Sequence, residues 1–409
     1  MGYGEAEPTA RLLSGSLARY VIAAILARMA TGGSAVAIIL LARSYGEQGM
    51  MAGAMAACLT APHLLGPVYG KSIEKSSRPL HIIALACVLF SGGFQLAIWG
   101  FEWQWPGLVF LALLVCGCCS SFLMGGLSTQ LLALVDNQVT VRRRAQSWDT
   151  LSYGIGLTLG PFFIALLTAH YPYQLVIGVI MALPLATAII ILRLSRSTKV
   201  VDKHGVEHPG IRQILSIVFS SGPLKRTLLM TSSAAFCVAA LPIVAIYFAA
   251  SWQQSQTSGA YLVTFYGVGC ILGGLLIMLK PLRDEATALL FKVGVMLLIT
   301  LLVVGLSQNF TWAVVGYLLC GVVNSIFFAV TLAARSEYSP EKGAAQIYMW
   351  VAAAKIGAAS LGTLVAGILV DKAIYLPLIM AIVVLTLSLV LCFGRQSQRR
   401  QNHTATIGK

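Results

Sequence analysis

The stretch Gln174–Arg226, QLVIGVIMALPLATAIIILRLSRSTKVVDKHGVEHPGIRQILSIVFSSGPLKR, sets two kinds of chain side by side. Its first part, Gln174 to Leu192, carries no charged side chain. At about 1.5 Å per helical residue that length approaches the roughly 30 Å of a bilayer's hydrocarbon. Its second part carries Arg193, Arg196, Lys199, Lys203, Arg212, Lys225 and Arg226. A membrane-crossing helix that ends in a basic connection accounts for both parts. Inside the connection, Ile211 to Phe219 is a short amphipathic stretch suited to the membrane surface.

Outward from this stretch the same pattern recurs. Of the 409 residues 58% are hydrophobic and only 10% charged, more apolar surface than a water-soluble core can hide. No water reaches the hydrocarbon to satisfy backbone N–H and C=O groups, so uncharged runs of this length must be helices. Spans are expected at about Leu17–Ala42, Met50–Gly70, Leu80–Gly100, Pro106–Val135, Thr150–His170 and Gln174–Leu192. A second set is expected at Thr227–Ala250, Ala260–Leu279, Leu289–Ser307, Thr311–Ala334, Met349–Val370 and Ala373–Phe393. The reading is an all-α polytopic membrane protein of twelve helices in two six-helix pseudo-symmetric halves. Its parts are residues 1–194, a linker at 195–226, residues 227–394 and a tail at 395–409. Arg144-Ala-Gln146 before span 5 recurs as Ala344-Ala-Gln346 before span 11, where a parallel repeat places it.

Short cytoplasmic loops are enriched in Lys and Arg. On the span assignment above, 24 of the 28 cations fall on one side and only Arg43 and Lys372 on the other. Both termini and the linker are therefore expected to be cytoplasmic, in an inner membrane. All seven tryptophans fall at span ends, where an amphipathic ring prefers to sit. The net charge of +14 is spread over loops and does not form a nucleic-acid-binding face. All nine cysteines fall within spans, so neither disulfides nor a loop zinc site is indicated, and no cofactor or metal is expected. The polar start Met1–Arg11 lacks the apolar stretch of a cleavable signal.

The connection after span 2 reads Gly70-Lys-Ser-Ile-Glu74-Lys-Ser-Ser77-Arg78-Pro79. It resembles the loop 2–3 signature of the major facilitator superfamily, G-x-x-x-D-x-x-G-R-R/K, at Gly70, Glu74 and Arg78, and departs from it at Ser77 and Pro79. The resemblance implies that Glu74 acts in a cytoplasmic latch near the positive end of span 11; a solvated loop charge is the other reading. Span 5 holds Gly156-Leu-Thr-Leu-Gly160-Pro161, close to the G-x-x-x-G-P-x-x-G-G motif of that superfamily's antiporters, with Ile164 and Ala165 in place of the closing glycines. Glycines four apart let helices approach closely, and Pro161 permits a bend, so ordinary packing explains the motif too. Drug exporters of the family usually carry an Arg in span 4, and Pro106–Val135 has no charge.

Ionisable groups inside spans are costly and mark functional candidates. Arg28 lies in span 1, which the resemblance places on the central cavity, and either contacts substrate or ties helices together. Lys355 lies two turns into span 11, where it either contacts substrate or snorkels to the surface. Neither cation has an evident buried acid, since Asp149, Asp371 and Glu102 read as span ends. An anionic or carboxylate-bearing amphiphile would complete their charge. His63 either titrates during transport or is simply hydrogen-bonded between helices. Thr31, Ser34, Gln130, Tyr153, Ser233, Tyr247, Tyr266, Asn324 and Trp350 are candidate cavity neighbours, because polar and aromatic groups in spans need an aqueous or protein-facing position.

These residues point to a secondary transporter of a small molecule, with a proton as a candidate coupling ion and a monomer as the expected state. Efflux is favoured by the span 5 motif, as in family members that export drugs or siderophores. Uptake of an anionic metabolite or metal chelate is the alternative, and a transport-dead sensor on the same scaffold is a third. An enzyme is not indicated: the six histidines are scattered in depth, no residue set reads as catalytic, and no P-loop is present. Reporter fusions at residues 1 and 409 are expected to read cytoplasmic at both ends; either terminus outside would overturn the topology.

Overall fold

In a computed structural model of the chain, the described residues are 15–65, 76, 78–131, 134, 139–194, 211–255, 257–279, 284–339 and 344–407. No strand occurs among them. Spans 1 to 6 are α1 (Gly15–Ser44), α2 (Gly49–Thr60, continued by a 3-10 turn Ala61–Leu65), α3 (Pro79–Glu102), α4 (Pro106–Thr129), α5 (Val139–Thr168) and α6 (Tyr173–Leu192). The linker helix is α7 (Ile211–Ser220). Spans 7 to 12 are α8 (Gly222–Ser251), α9 (Ser258–Leu279), α10 (Ala286–Gly305), α11 (Phe310–Tyr338), α12 (Ala344–Val370) and α13 (Leu376–Ile407). Eleven of these are long and apolar enough to cross a membrane, and the shorter Gly49–Leu65 is the twelfth.

Local chemistry sets several boundaries. Pro79 and Pro106 open α3 and α4, where a missing N–H costs nothing. The Asn309 side chain accepts from the Trp312 N–H at 3.0 Å to cap α11. Inside the bundle, Pro184 and Pro242 follow breaks at Ala182 and at Ala239–Ala240, since proline removes a backbone donor. Several helices outrun the spans read from the sequence: α8 begins at Gly222, not Thr227, α12 at Ala344, not Met349, and α5 at Val139, not Thr150, so Asp149 sits well inside a helix. The tail also continues α13 as helix to Ile407.

Helix contacts repeat after six spans. The pairs α1–α5, α3–α4 and α1–α6 recur as α8–α12, α10–α11 and α8–α13, while α2–α12 and α5–α9 join the first six spans to the last six. Lipid offers no hydrophobic drive for helices to associate, so close van der Waals packing must supply the contact. Glycines make it possible. A side chain on Gly160 would meet the Gly33 backbone of α1 at 2.7 Å, and one on Gly53 would meet the Gly367 backbone of α12 at 2.8 Å. The outer surface carries exposed Leu85, Leu111 and Leu387, as a lipid-facing wall requires. Connections alternate between a cation-rich end, which bears the linker, and a cation-poor end, which bears Trp103, Trp252 and Trp312.

Candidate functional site

Two polar clusters lie inside the bundle. The first is built on Arg28, whose side chain is 0% exposed. Its Nη2 donates to Asp149 Oδ1 at 2.8 Å and to Ser128 Oγ at 2.8 Å. Its Nη1 donates to the Asp149 carbonyl at 2.8 Å and to Ser152 Oγ. The Asp149 carboxylate accepts further from Tyr20 at 2.6 Å and from Ser128 at 2.9 Å, and its side chain is 14% exposed. The guanidinium lies 3.5 Å from the centre of the Tyr153 ring, whose hydroxyl reaches Ser128 at 3.3 Å. Four charge-assisted hydrogen bonds and a stacked ring therefore hold one buried cation.

This corrects the view that Arg28 has no buried acid. Asp149 is the acid, and helical periodicity carried the signal: Asp149, Ser152, Tyr153, Gly156 and Gly160 fall on one face of α5 at intervals of three and four residues. Gly156 and Gly160 serve the same cluster. A Cβ on Gly156 would meet the Arg28 Cα at 3.1 Å, so the absent side chain is what lets α1 lie against α5 and deliver the guanidinium. Pro161 sits inside α5 just beyond. On α4, Ser128 follows a π-helical turn, Phe122–Gly126, a deviation that often re-aims side chains at functional sites. Thr31 and Ser34 bond back to their own helix, with Thr31 also 3.2 Å from the Met124 sulfur. Gln130 is buried and donates to Thr129 at 2.9 Å.

The second cluster is a cavity of about 250 Å³ between α8, α9, α11 and α12. Lys355 lines it, with Tyr266, Asn324, Thr231, Thr331 and Phe328. Asn324 donates to the Tyr266 hydroxyl at 2.7 Å, and the Lys355 Nζ stands 3.8 Å over the Phe328 ring. No acid among the described residues pairs with Lys355. The Thr231 hydroxyl is buried without a hydrogen-bond partner. The wall is otherwise apolar, including Ala234, Ala235 and Val238.

The remaining candidates stand apart from both clusters. Tyr247 lies at the cation-poor end, its ring 4.6 Å from the Arg43 guanidinium. Trp350 packs with Val218, Leu224, Ile347 and Val351 against the linker helix. Ser233 bonds to Ser388 at 2.6 Å, tying α8 to α13. His63 is half-buried, with Nε2 3.0 Å from Ser120 Oγ on α4, the geometry of a helix tie. Arg78 is exposed just before α3. Gly70 and Glu74 lie outside the described residues. No group of metal-ligating side chains occurs among the described residues.

A family model described as Major Facilitator Superfamily matches residues 20–355. Among solved structures, the nucleoside transporter NupG is similar at 13% identity with a TM-score of 0.73, over 94% of this chain and 99% of that one. A bacterial homolog of the human lysosomal transporter Spinster, inward-facing and unoccupied, is similar at 13% identity with a TM-score of 0.70, over 94% of this chain and 97% of that one. A POT family transporter in complex with 5-aminolevulinic acid is similar at 11% identity with a TM-score of 0.71, over 92% and 94%. At such identities the likeness is one of fold. Comparison with curated proteins gives no match.

Removing one member of a buried ion pair strands the other, at a cost of about 3–5 kcal/mol, whereas replacing both by apolar residues of similar volume is close to neutral. Asp149→Leu and Arg28→Met are therefore each expected to lower the melting temperature of the purified protein, and the double variant to recover most of the loss. Additive losses in the double variant would show that the two side chains are not each other's partner.

Proposed function

We propose the following from a fixed premise: the chain belongs to the major facilitator superfamily and is a membrane transporter, not an enzyme. It moves a small amphiphilic anion, a carboxylate-bearing metabolite, across the inner membrane by alternating access. One observation carries this reading. Lys355 presents its amine to a cavity, with no acid among the described residues to neutralise it. An ammonium in the membrane interior costs about 2.5 kcal/mol or more unless something compensates it. An anionic group on the ligand does so, and the Asn324–Tyr266 pair offers a further polar contact. Phe328 and the alanine-rich wall receive the apolar part. A cavity near 250 Å³ suits a compact ligand.

Arg28 no longer supports the anion on charge alone, because Asp149 already neutralises it. Its network reaches Tyr153 and Ser128 and leaves part of Asp149 exposed, which keeps it a candidate for contact with substrate through these neighbours. Thr31 of α1 reaches the Met124 sulfur of α4, and Thr31, Ser34 and Gln130 remain candidate cavity neighbours. A proton is the candidate coupling ion, and a monomer the working state. The cation-rich end faces the cytoplasm.

Export is the favoured direction, since Gly156, Gly160 and Pro161 form the motif that resembles those of exporters, and they shape the α1–α5 contact. Import of the same class of anion is the second reading, favoured by an α4 that carries no charge where exporters usually have an Arg. A fold of this kind holds 5-aminolevulinic acid in one structural relative, which supports a small acid as a ligand.

Counterflow in proteoliposomes with a panel of amphiphilic carboxylates tests both transport and substrate class. Lys355→Gln is expected to weaken the apparent affinity of an active carboxylate by about 10- to 100-fold, the worth of one charge-assisted hydrogen bond. Lys355→Arg is expected to retain part of it. Wild-type affinity in folded Lys355→Gln protein would remove the cavity from the transport site, and no counterflow with any substrate would favour a transport-dead sensor.

A further inference from the structure

The helices α2 and α12 run antiparallel, so the start of one meets the end of the other. At the cation-poor end this brings Asp371, one residue past α12, onto the first turn of α2. Both carboxylate oxygens are used: Oδ1 accepts from the Gly49 N–H at 2.7 Å, and Oδ2 from the Met50 N–H at 2.7 Å. These are two of the unsatisfied donors that every helix start leaves, and the helix dipole adds to the attraction. The contact joins the last six spans to the first six.

Its surroundings converge on the same point. Asp371 Oδ1 and the Tyr247 hydroxyl each lie 2.8 Å from where a Gly49 side chain would begin, so glycine leaves them room. Arg43, from the end of α1, stands over the Tyr247 ring of α8. The carboxylate thus joins α12 to α2 through Gly49 and Met50, with the Tyr247 hydroxyl of α8 beside the same glycine and Arg43 of α1 stacked on the Tyr247 ring. Directly beneath, Gly53 and Gly367 allow backbone contact with no interlocking side chains. A smooth glycine-lined interface slides apart easily, and its nearest deeper polar tie is Ser360 to Thr60 at 2.7 Å.

We propose that Asp371 is the positioning residue that holds the cation-poor end shut, and so sets the population of the state in which the central cavity is closed on that side. Loss of the carboxylate leaves α2 without its two acceptors and releases the two sets of spans at that end. The inference rests on alternating access for its consequence in transport.

The test measures the distance across that mouth by electron-electron resonance between spin labels at Gln104→Cys and Gln308→Cys. These positions lie in connections of the first and last six spans, and the nine native cysteines are replaced beforehand. Carboxylate caps at exposed helix starts bias an equilibrium by roughly three- to tenfold, so Asp371→Ala is expected to raise the long-distance fraction by about that factor. Asp371→Asn, which keeps one acceptor, is expected to give a smaller rise. Lys372→Gln, a charge change one residue away, is expected to give none. Unchanged distances in folded Asp371→Ala and Asp371→Asn protein would overturn the proposal, as would loss of folding in both, which would make Asp371 a folding element. Counterflow on the same proteins separates the premises: a distance shift without transport in any protein, wild type included, sinks the transport reading and leaves the tie intact.

Discussion

A guanidinium placed inside a bilayer must find its counter-charge within the protein, and much of the bundle is arranged around that requirement. Arg28 is fully buried on α1, and no lipid or bulk water can solvate it. Asp149 answers with its side chain and its backbone carbonyl, while Ser128 and Ser152 complete the donor set. Such a pair adds little stability over an apolar pair of equal volume. Its consequence is a tie of α1 to α4 and α5, since a shift that parts Arg28 from Asp149 leaves both charges unpaired.

That register demands close helices, and glycine provides them. Gly156 and Gly160 bring α5 against α1, Gly53 and Gly367 bring α2 against α12, and a side chain on Gly269 would meet Val322 N of α11 at 2.9 Å. The first contact lies within one set of six spans and is locked by the ion pair. The second lies between the sets, and at the cation-poor end it is tied by an exposed carboxylate on two backbone donors. An ion pair inside the first set and an exposed carboxylate between the sets suit the rocking of two bodies that the proposed alternating access requires.

The architecture was legible in the sequence because lipid imposes it: uncharged runs of span length, basic connections and terminal tryptophans follow from the solvent alone. Arg28 and Lys355 were legible for the same reason. Their environments were not. Asp149 read as a span end because the hydrophobic run starts after it, yet α5 begins at Val139, and helix formation there does not depend on apolarity. Asp371 also read as a terminal acid, and only the antiparallel meeting of α2 and α12 gives it a role. The Lys355 cavity draws on four helices spread over more than a hundred residues, a juxtaposition that no local pattern records. His63 lies 3.0 Å from Ser120 on α4, a contact that both of its readings allow.

Lys355, and not Arg28, is proposed to meet the negative charge of the substrate, since Asp149 already answers that of Arg28. The most direct measurement is the position of a bound anion. Crystals grown with an iodine-bearing analogue of a carboxylate that gives counterflow would reveal it through the anomalous scattering of iodine. The account predicts a peak inside the cavity bounded by Asn324, Tyr266 and Phe328, with the carboxylate on Lys355 and the Arg28–Asp149 pair intact. An ordered analogue on Arg28 with Asp149 displaced, and the Lys355 cavity free of it, would contradict the account.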